Sequence, residues 1–379
     1  MKKAFISVGE ISGDNYASLL VKSLPEFDWI GITGPKMRKS GVKTVERLEN
    51  ISVVGLTEAV PKYFKLKEAF KKSVAVFEQG IDLLVVVDFP GFNLRLLREA
   101  KKRGIKTVYF IAPQVWAWGR RRIPKIVQNT DLLIAIWPFE EKIYSKYTSE
   151  KFRVEYVGHP ILDVIKTEET EESFKMKAGI SADKKLFGLL PGSRESEVNT
   201  LLPILLTSAE IIYKKREDMH FVIPSTPNME EKIKKITVGY KIPVTVITDK
   251  YFSYPAYEVM KHSVFLNVAS GTATLETAIL GNPFLLVYKV SPITYFIGKM
   301  LVSIDYIGLP NIIAGKEIVK ELLQKECSPE IISYWSLKYL EDIKMYERLK
   351  EDLKRVRSVL GKKGAIRKTA DLIREILST

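Results

Sequence analysis

Short apolar runs alternate with apolar stripes at helical spacing along most of this chain, and that alternation predicts its architecture. Runs of buried-strand length stand at Ala4–Val8, Trp29–Thr33, Leu83–Asp88, Thr107–Ile111 and Leu132–Ile136. Between them, helical patterns cover Asp14–Leu24, Leu66–Glu78, Asn93–Arg103 and Glu140–Tyr147, with Gly104 as a helix stop after Arg103. The second half repeats the rhythm, with strands predicted at Leu186–Leu190, His220–Pro224, Val244–Ile247, Val264–Val268 and Pro283–Val287. From Pro329 onward the pattern is purely helical, ending in an amphipathic helix from Ile366 to Leu377.

Such alternation implies an α/β chain with two doubly wound, Rossmann-like parallel sheets, each covered by helices on both faces. The polar stretch Lys166–Glu172 follows Val157-Gly158-His159-Pro160 and reads as the crossing between domains. At 379 residues the chain exceeds what one core usually supports. The expected division is 1–165, 166–345 and a helical segment 346–379 that packs back on the first domain or on a partner subunit.

Composition narrows the class. Hydrophobic residues make up 46% of the chain and the mean hydropathy is −0.01, as expected of a soluble globular protein. The lone Cys327 excludes an intramolecular disulfide and fits a reducing compartment. Scattered His159, His220 and His262 give no metal-ligand cluster. Met1–Glu10 has the charge of a signal peptide but too short an apolar run, so it reads as the first strand, and no apolar stretch reaches membrane-spanning length. The net charge of +14 calls for an anionic partner: nucleic acid, an anionic membrane or a phosphorylated substrate. Zinc-finger spacing, RNA-recognition aromatics and a basic-region zipper are all missing from the sequence, which argues against nucleic acid.

Five segments carry candidate chemistry. The apolar run Leu186–Leu190 leads into Pro191-Gly192-Ser193-Arg194-Glu195-Ser196-Glu197, where a glycine, capping serines and free N–H groups beside Arg194 would suit a diphosphate. An ordinary capped turn is the plainer alternative. A second small-residue turn, Ala269-Ser270-Gly271-Thr272, opens another helix, and Glu276 within it can accept ribose hydroxyls. The pair looks like one nucleotide site at the strand ends. In the first half, Gly9-Glu10-Ile11-Ser12-Gly13-Asp14 aims Glu10 at the crevice while Ser12 or Asp14 caps a helix, or is simply a capped turn without a ligand. Asp88 ends the very apolar Leu83–Val87, where partial desolvation raises a carboxyl toward general-base duty; its alternative role is to cap the helix that follows. Gln114, Trp116, Trp118 and Arg120 belong to a loop that reads as an aromatic, cationic wall for a phosphorylated, apolar-tailed acceptor, or as a tryptophan-anchored loop before a solvated basic helix.

Two amphipathic segments bear on membranes. Lys62–Phe77 mixes lysines with Phe64, Phe70, Val74 and Phe77 and suits either a membrane interface or an ordinary surface helix. Ile293–Val302 is apolar all round, which favours burial. Two doubly wound domains with an anion site are the plan of nucleotide-sugar glycosyltransferases, phosphorylases and nucleotide-sugar epimerases alike, and fold alone does not choose among them.

The ordered motifs Gly9–Asp14, Asp88–Asn93, Pro113–Trp118, Leu190–Arg194, Ala269–Glu276 and Leu309–Gln324 resemble those of the bacterial lipid-A-disaccharide synthases, at family spacing from residue 4 to about 330. The resemblance implies two domains of the GT-B glycosyltransferase type and an inverting transfer from UDP-2,3-diacylglucosamine to the 6-hydroxyl of 2,3-diacylglucosamine 1-phosphate. It implies that Asp88 is the base, alone or with Glu10, because the family shows a second Asp where this chain has Gly91. Ser193, Arg194, Ser270, Gly271, Thr272, Glu276, Asn311 and Glu317 would then hold the UDP-sugar in the second domain. Ser12, Asn93, Gln114, Trp116, Trp118 and Arg120 would face the acceptor in the first, membrane-facing domain. No cofactor, metal or nucleic acid is expected. The chain is expected in the cytoplasm, peripheral on the anionic inner face of the inner membrane, as a homodimer or a monomer. The rivals are a UDP-N-acetylglucosamine 2-epimerase or other UDP-sugar enzyme on the same fold, the N-acetylglucosaminyl transferase of peptidoglycan synthesis, and a non-enzymatic binding module.

Overall fold

Two all-parallel sheets organise the chain, one in each of two units. The computed structural model describes residues 2–51, 59–113, 115–116, 119–290 and 305–378, and of residues 59–63 only the backbone. Ile293–Val302 therefore lies outside the described residues, as do Gln114 and Trp118.

Unit 1 comprises Met1–Val164 and Leu360–Thr379. Its strands are β1 (Lys2–Val8), β2 (Phe27–Thr33), β3 (Lys43–Arg47), β4 (Leu83–Val87), β5 (Lys106–Phe110), β6 (Leu132–Ala135) and β7 (Arg153–Tyr156). They run in the order β3-β2-β1-β4-β5-β6-β7, so chain progression reverses between β1 and β4. β4 is buried at all five residues, which is why its sequence, Leu-Leu-Val-Val-Val, is apolar without alternation. β3 and β7 escape prediction because edge strands are short and charged: they read Lys-Thr-Val-Glu-Arg and Arg-Val-Glu-Tyr.

Unit 2 spans Ile165–Val359. Its strands are β8 (Lys185–Leu190), β9 (Met219–Pro224), β10 (Val244–Ile247), β11 (Phe265–Ala269), β12 (Phe284–Tyr288) and β13 (Glu321–Leu323), in the order β10-β9-β8-β11-β12-β13. Reversal here falls between β8 and β11.

The C-terminal segment does not divide at residue 346. The helix Ile343–Val359 turns Leu349, Leu353 and Val356 into unit 2, whereas the helix Ala365–Ile376 belongs to unit 1 and packs on the helix Ile11–Ser23. Asp163 fixes that return: its carboxylate accepts the backbone N–H of Gly364 at 2.6 Å and of Ile366 at 2.9 Å.

The basic segment follows the second of its two readings, a surface helix packed on the sheet, and corrects the expectation that Phe70 and Phe77 face lipid. It forms the helix Ala59–Glu78, but Phe77 is buried edge-on against Phe5, with ring centroids 5.2 Å apart, and half-buried Phe70 meets Phe92 at 6.1 Å. These rings fill the core, and of the three phenylalanines only Phe64, 68% exposed, faces outward. Among the described residues no helix is long and apolar enough to cross a membrane.

Candidate functional site

In each unit the candidate residues leave the sheet where strand order reverses, the crevice at which doubly wound sheets bind ligands. In unit 1, Val8 of β1 pairs in register with Val87 of β4, so Gly9-Glu10 and Asp88-Phe89 emerge side by side. The two loops are packed together, because a Cβ on Gly9 would lie 2.2 Å from the Phe89 ring. Asp88 and Phe89 both adopt left-handed backbone, at φ 50° and 51°.

Asp88 does not cap the next helix: Phe89 stands at that position before Pro90–Lys102, without a side-chain cap. The half-buried carboxyl is thus left for other work. Burial first, and then the charge of exposed Glu10, push it up to about 6, against the pull of the Phe89 backbone N–H. A carboxyl so placed can take a proton from a substrate hydroxyl near neutral pH.

One neighbour expected at the ligand, Asn93, serves the protein instead. Asn93 is fully buried; its amide N–H groups donate to the carbonyls of Val87 at 3.1 Å and Asp88 at 2.7 Å, while its Oδ1 accepts the Ser7 hydroxyl at 2.7 Å. It holds the loop and is closed to an acceptor sugar. Ser12 sits half-buried in the first turn of Ile11–Ser23 and does not cap it. Asp14 caps a different helix, Pro35–Lys39, accepting Lys36 N–H at 2.8 Å and Met37 N–H at 3.1 Å.

Half-buried Trp116 belongs to a packed aromatic cluster, the tryptophan-anchored alternative for this loop. Its ring meets Phe139 edge-on at 5.1 Å, Phe139 stacks on Trp137 at 5.9 Å, and Trp137 meets His159 at 4.7 Å. Beneath them lies buried Glu140, pushed up to about 8 by burial against the opposing bonds of the Trp137 and Ile136 backbone N–H groups, each at 3.2 Å. Burial also holds His159 down at about 3, and its Nδ1 accepts the Ile161 N–H at 3.1 Å, so the neutral ring carries its proton on Nε2. Arg120 is exposed in the short turn Arg120–Arg122.

In unit 2, Leu190 of β8 pairs with Val268 of β11, which brings the two predicted anion turns out of adjacent strands. The first is already occupied from within. Glu197 accepts the backbone N–H of Ser193 at 3.1 Å and of Arg194 at 3.2 Å, and lies so close that a Cβ on Gly192 would meet it at 2.2 Å. The expected free N–H groups are therefore capped, a pattern legible in the Glu three residues after Arg194. The Arg194 side chain remains 65% exposed and touches Glu197 only at 3.4 Å.

The second turn is open. Gly271 takes φ 145°, which a side chain would resist, and opens the helix Thr272–Leu280 without a side-chain cap. Ser270 N–H is used by the Val287 carbonyl at 3.1 Å, but the N–H groups of Gly271, Thr272 and Ala273 have no acceptor among the described residues. Glu276, one turn on and half-buried, accepts the Tyr257 hydroxyl at 3.1 Å.

Asn311 is not a free ligand. Its Oδ1 accepts Ile318 N–H and Val319 N–H, both at 2.8 Å, and its amide donates to the Val319 carbonyl and to Glu321, also at 2.8 Å. Buried Glu321, which sequence reasoning missed, also accepts Ile307 N–H at 3.0 Å and Gly308 N–H at 2.9 Å. The Leu309–Gln324 motif thus builds a rigid loop around an Asn–carboxylate pair. Glu317 is exposed and paired with Lys320 at 3.2 Å.

A family model described as lipid-A-disaccharide synthetase matches residues 4–376. A lipid-A-disaccharide synthase of Persephonella marina is 78% identical over 376 residues, covering 99% of each chain. One from Aquifex aeolicus is 39% identical over 379 residues, covering 100% of each. Among solved structures, UDP-GlcNAc 2-epimerase from Neisseria meningitidis, bound to UDP-GlcNAc, aligns with a TM-score of 0.64 at 15% identity, covering 99% of this chain and 100% of that one. MurG of Acinetobacter baumannii aligns at 0.56 with 14% identity and the same coverage. These structural likenesses establish the fold: two doubly wound sheets of the GT-B type.

Proposed function

The chain belongs to the lipid-A-disaccharide synthetase family, and on that premise we propose that it joins two acylated glucosamines. The donor is UDP-2,3-diacylglucosamine and the acceptor is the 6-hydroxyl of 2,3-diacylglucosamine 1-phosphate. Asp88 takes the hydroxyl proton as the oxygen attacks the anomeric carbon from the face opposite UDP. The carbon–oxygen bond to the diphosphate breaks, UDP leaves with the electron pair, and the product is the β-1,6-linked disaccharide 1-phosphate. Inversion follows from the single displacement.

The observation that carries this reading is the Asp88 carboxyl, uncommitted to capping, half-buried beside Glu10 and raised to about 6. Roles divide between the units: unit 1 supplies the base, and unit 2 the donor site. There the open N–H groups of Gly271, Thr272 and Ala273, with the exposed Arg194 guanidinium, meet the leaving diphosphate's charge. Ser270 and Glu276 border the same turn, and Ser193 and Glu317 are assigned to the UDP-sugar with them. The acyl chains explain the basic surface: the enzyme docks on the anionic cytoplasmic face of a membrane without crossing it, through Phe64 and the lysines beside it.

Purified protein incubated with UDP-2,3-diacylglucosamine, with and without the monosaccharide 1-phosphate, tests the proposal. Disaccharide and UDP only when both are present support it. An altered donor sugar without acceptor would identify an epimerase, and no turnover in either incubation would reduce the chain to a binding module.

A further inference from the structure

Three of the four non-glycine residues with positive φ among the described residues meet at one point: Asp88 (50°), Phe89 (51°) and Ile111 (60°). Left-handed backbone is unfavourable for any side chain with a Cβ, and more so for bulky Phe and β-branched Ile. Such outliers persist where their surroundings over-determine them, and they gather at functional sites. Val87 and Phe110 are the last paired residues of β4 and β5, so Asp88 and Ile111 are the first residues past adjacent strand ends. The Asp88 N–H still donates to the Ile111 carbonyl at 3.2 Å.

The Asp88 carbonyl is held twice over. It accepts the Tyr109 hydroxyl at 3.0 Å and the Asn93 amide at 2.7 Å. Asn93 is itself fixed by the Ser7 hydroxyl at 2.7 Å and the Val87 carbonyl at 3.1 Å. Both donors are fully buried, and burial drives the Tyr109 hydroxyl well above its ordinary range, so it stays protonated and keeps donating. Neither side chain is open to a substrate. We propose that Tyr109 and Asn93 are positioning residues for the transfer, holding Asp88 in the left-handed conformation from which its carboxylate reaches the acceptor hydroxyl. This rests on the reading of Asp88 as the base. Without the two donors, the turn relaxes toward extended backbone and carries the carboxylate away from its half-buried place.

Tyr109→Phe removes one hydroxyl and keeps the ring. It is expected to lower kcat roughly ten- to a hundredfold, the cost of a small misplacement of a reacting group, with KM for the UDP-sugar unchanged. The acid limb of kcat/KM against pH moves to lower pH than in the wild type, because the Asp88 carboxylate, raised to about 6 chiefly by burial, gains solvent. In an Asp88→Asn background the same substitution produces no further loss, since nothing remains to position. Ser7→Ala, acting through Asn93, gives a smaller change in kcat and in the acid limb, and it decides the matter if Tyr109→Phe does not fold. Wild-type kcat and acid limb in Tyr109→Phe, or an undiminished loss in the Asp88→Asn background, overturns the proposal. Near-normal turnover by Asp88→Asn alone would instead remove the base assignment itself, so the two failures are distinct.

Discussion

Glu197 accepts the backbone N–H of Arg194 at 3.2 Å, three residues upstream, and so places a carboxylate where a ligand phosphate would otherwise sit. The turn that the sequence presents as an anion site is, in the free protein, neutralised by the protein's own anion. An incoming diphosphate has two choices: to displace Glu197 or to bind at the open Gly271 turn and meet only the Arg194 side chain.

Glu197→Gln separates these. The amide keeps the shape and an acceptor oxygen but removes the repelling charge. If the diphosphate approaches this turn, UDP binding tightens several-fold by calorimetry, while stability falls by roughly 0.5–1 kcal/mol with the weakened cap. Weaker UDP binding would mean that Glu197 contributes to the site. Arg194→Ala is expected to weaken UDP binding with a stability change under about 1 kcal/mol, since its ion pair is exposed.

Asp88→Asn is expected to cut turnover by orders of magnitude and leave UDP affinity intact. It also carries a stability signature. The folded carboxyl holds its proton to about 6, whereas its ordinary value is 3.8, so between those values the folded state binds more protons than the unfolded chain. Stability therefore falls as pH rises through that window and stays lower above it, by on the order of 2 kcal/mol. At pH 8 the asparagine variant should melt above the wild type; at pH 4 the gain should be gone. Equal melting shifts at both pH values would contradict the raised proton affinity.

The helix Ala59–Glu78 predicts a divided response. Lys65, Lys67 and Lys71 are exposed and without a carboxylate partner among the described residues, while Lys72 is offset by Glu68 at 2.8 Å and Glu46 at 3.3 Å. Replacing the first three with Gln should weaken binding to anionic vesicles at low salt, by about 1 kcal/mol each. High salt should erase the difference. Phe64→Ala should reduce the salt-resistant remainder. Phe77→Ala should instead destabilise the fold by about 3–5 kcal/mol, because that ring lies in the core. Unchanged sedimentation of the triple lysine variant would leave this an ordinary surface helix.

Two glycines of the first site should respond oppositely. A Cβ on Gly9 would strike the Phe89 ring at 2.2 Å, whereas one on Gly91 meets nothing within 4 Å. Gly9→Ala should displace Phe89 and depress turnover at least tenfold. Gly91→Ala, in the first helical turn, should keep full activity and gain up to about 1 kcal/mol. Equal kinetics for the two variants would disprove the packing of the two loops against each other.

Much of the architecture is determined locally and could be read from the chain. Leu83–Val87 is buried on both faces of a parallel sheet, so its apolar run needs no alternation, and it marked both the strand and the position of Asp88. In unit 2, β8, β9, β11 and β12 were legible for the same reason, whereas the three-residue edge strand β13 was not; the polar stretch Lys166–Glu172 marked the start of unit 2 at Ile165. Side-chain partnership was not local. Asn93 and Asn311 looked like ligand-facing polar residues, but their partners Ser7 and Glu321 are 86 and 10 residues away, and only folding brings these groups into one dry place where every donor must find an acceptor. The phenylalanines of the basic helix were ambiguous because a stripe at helical spacing fits a core as well as a lipid face. The left-handed turn at Asp88, which no glycine announces, exists because Tyr109 and Asn93 reach its carbonyl from other elements. Sequence periodicity sets which faces are buried; tertiary contact alone decides which polar groups remain free for chemistry.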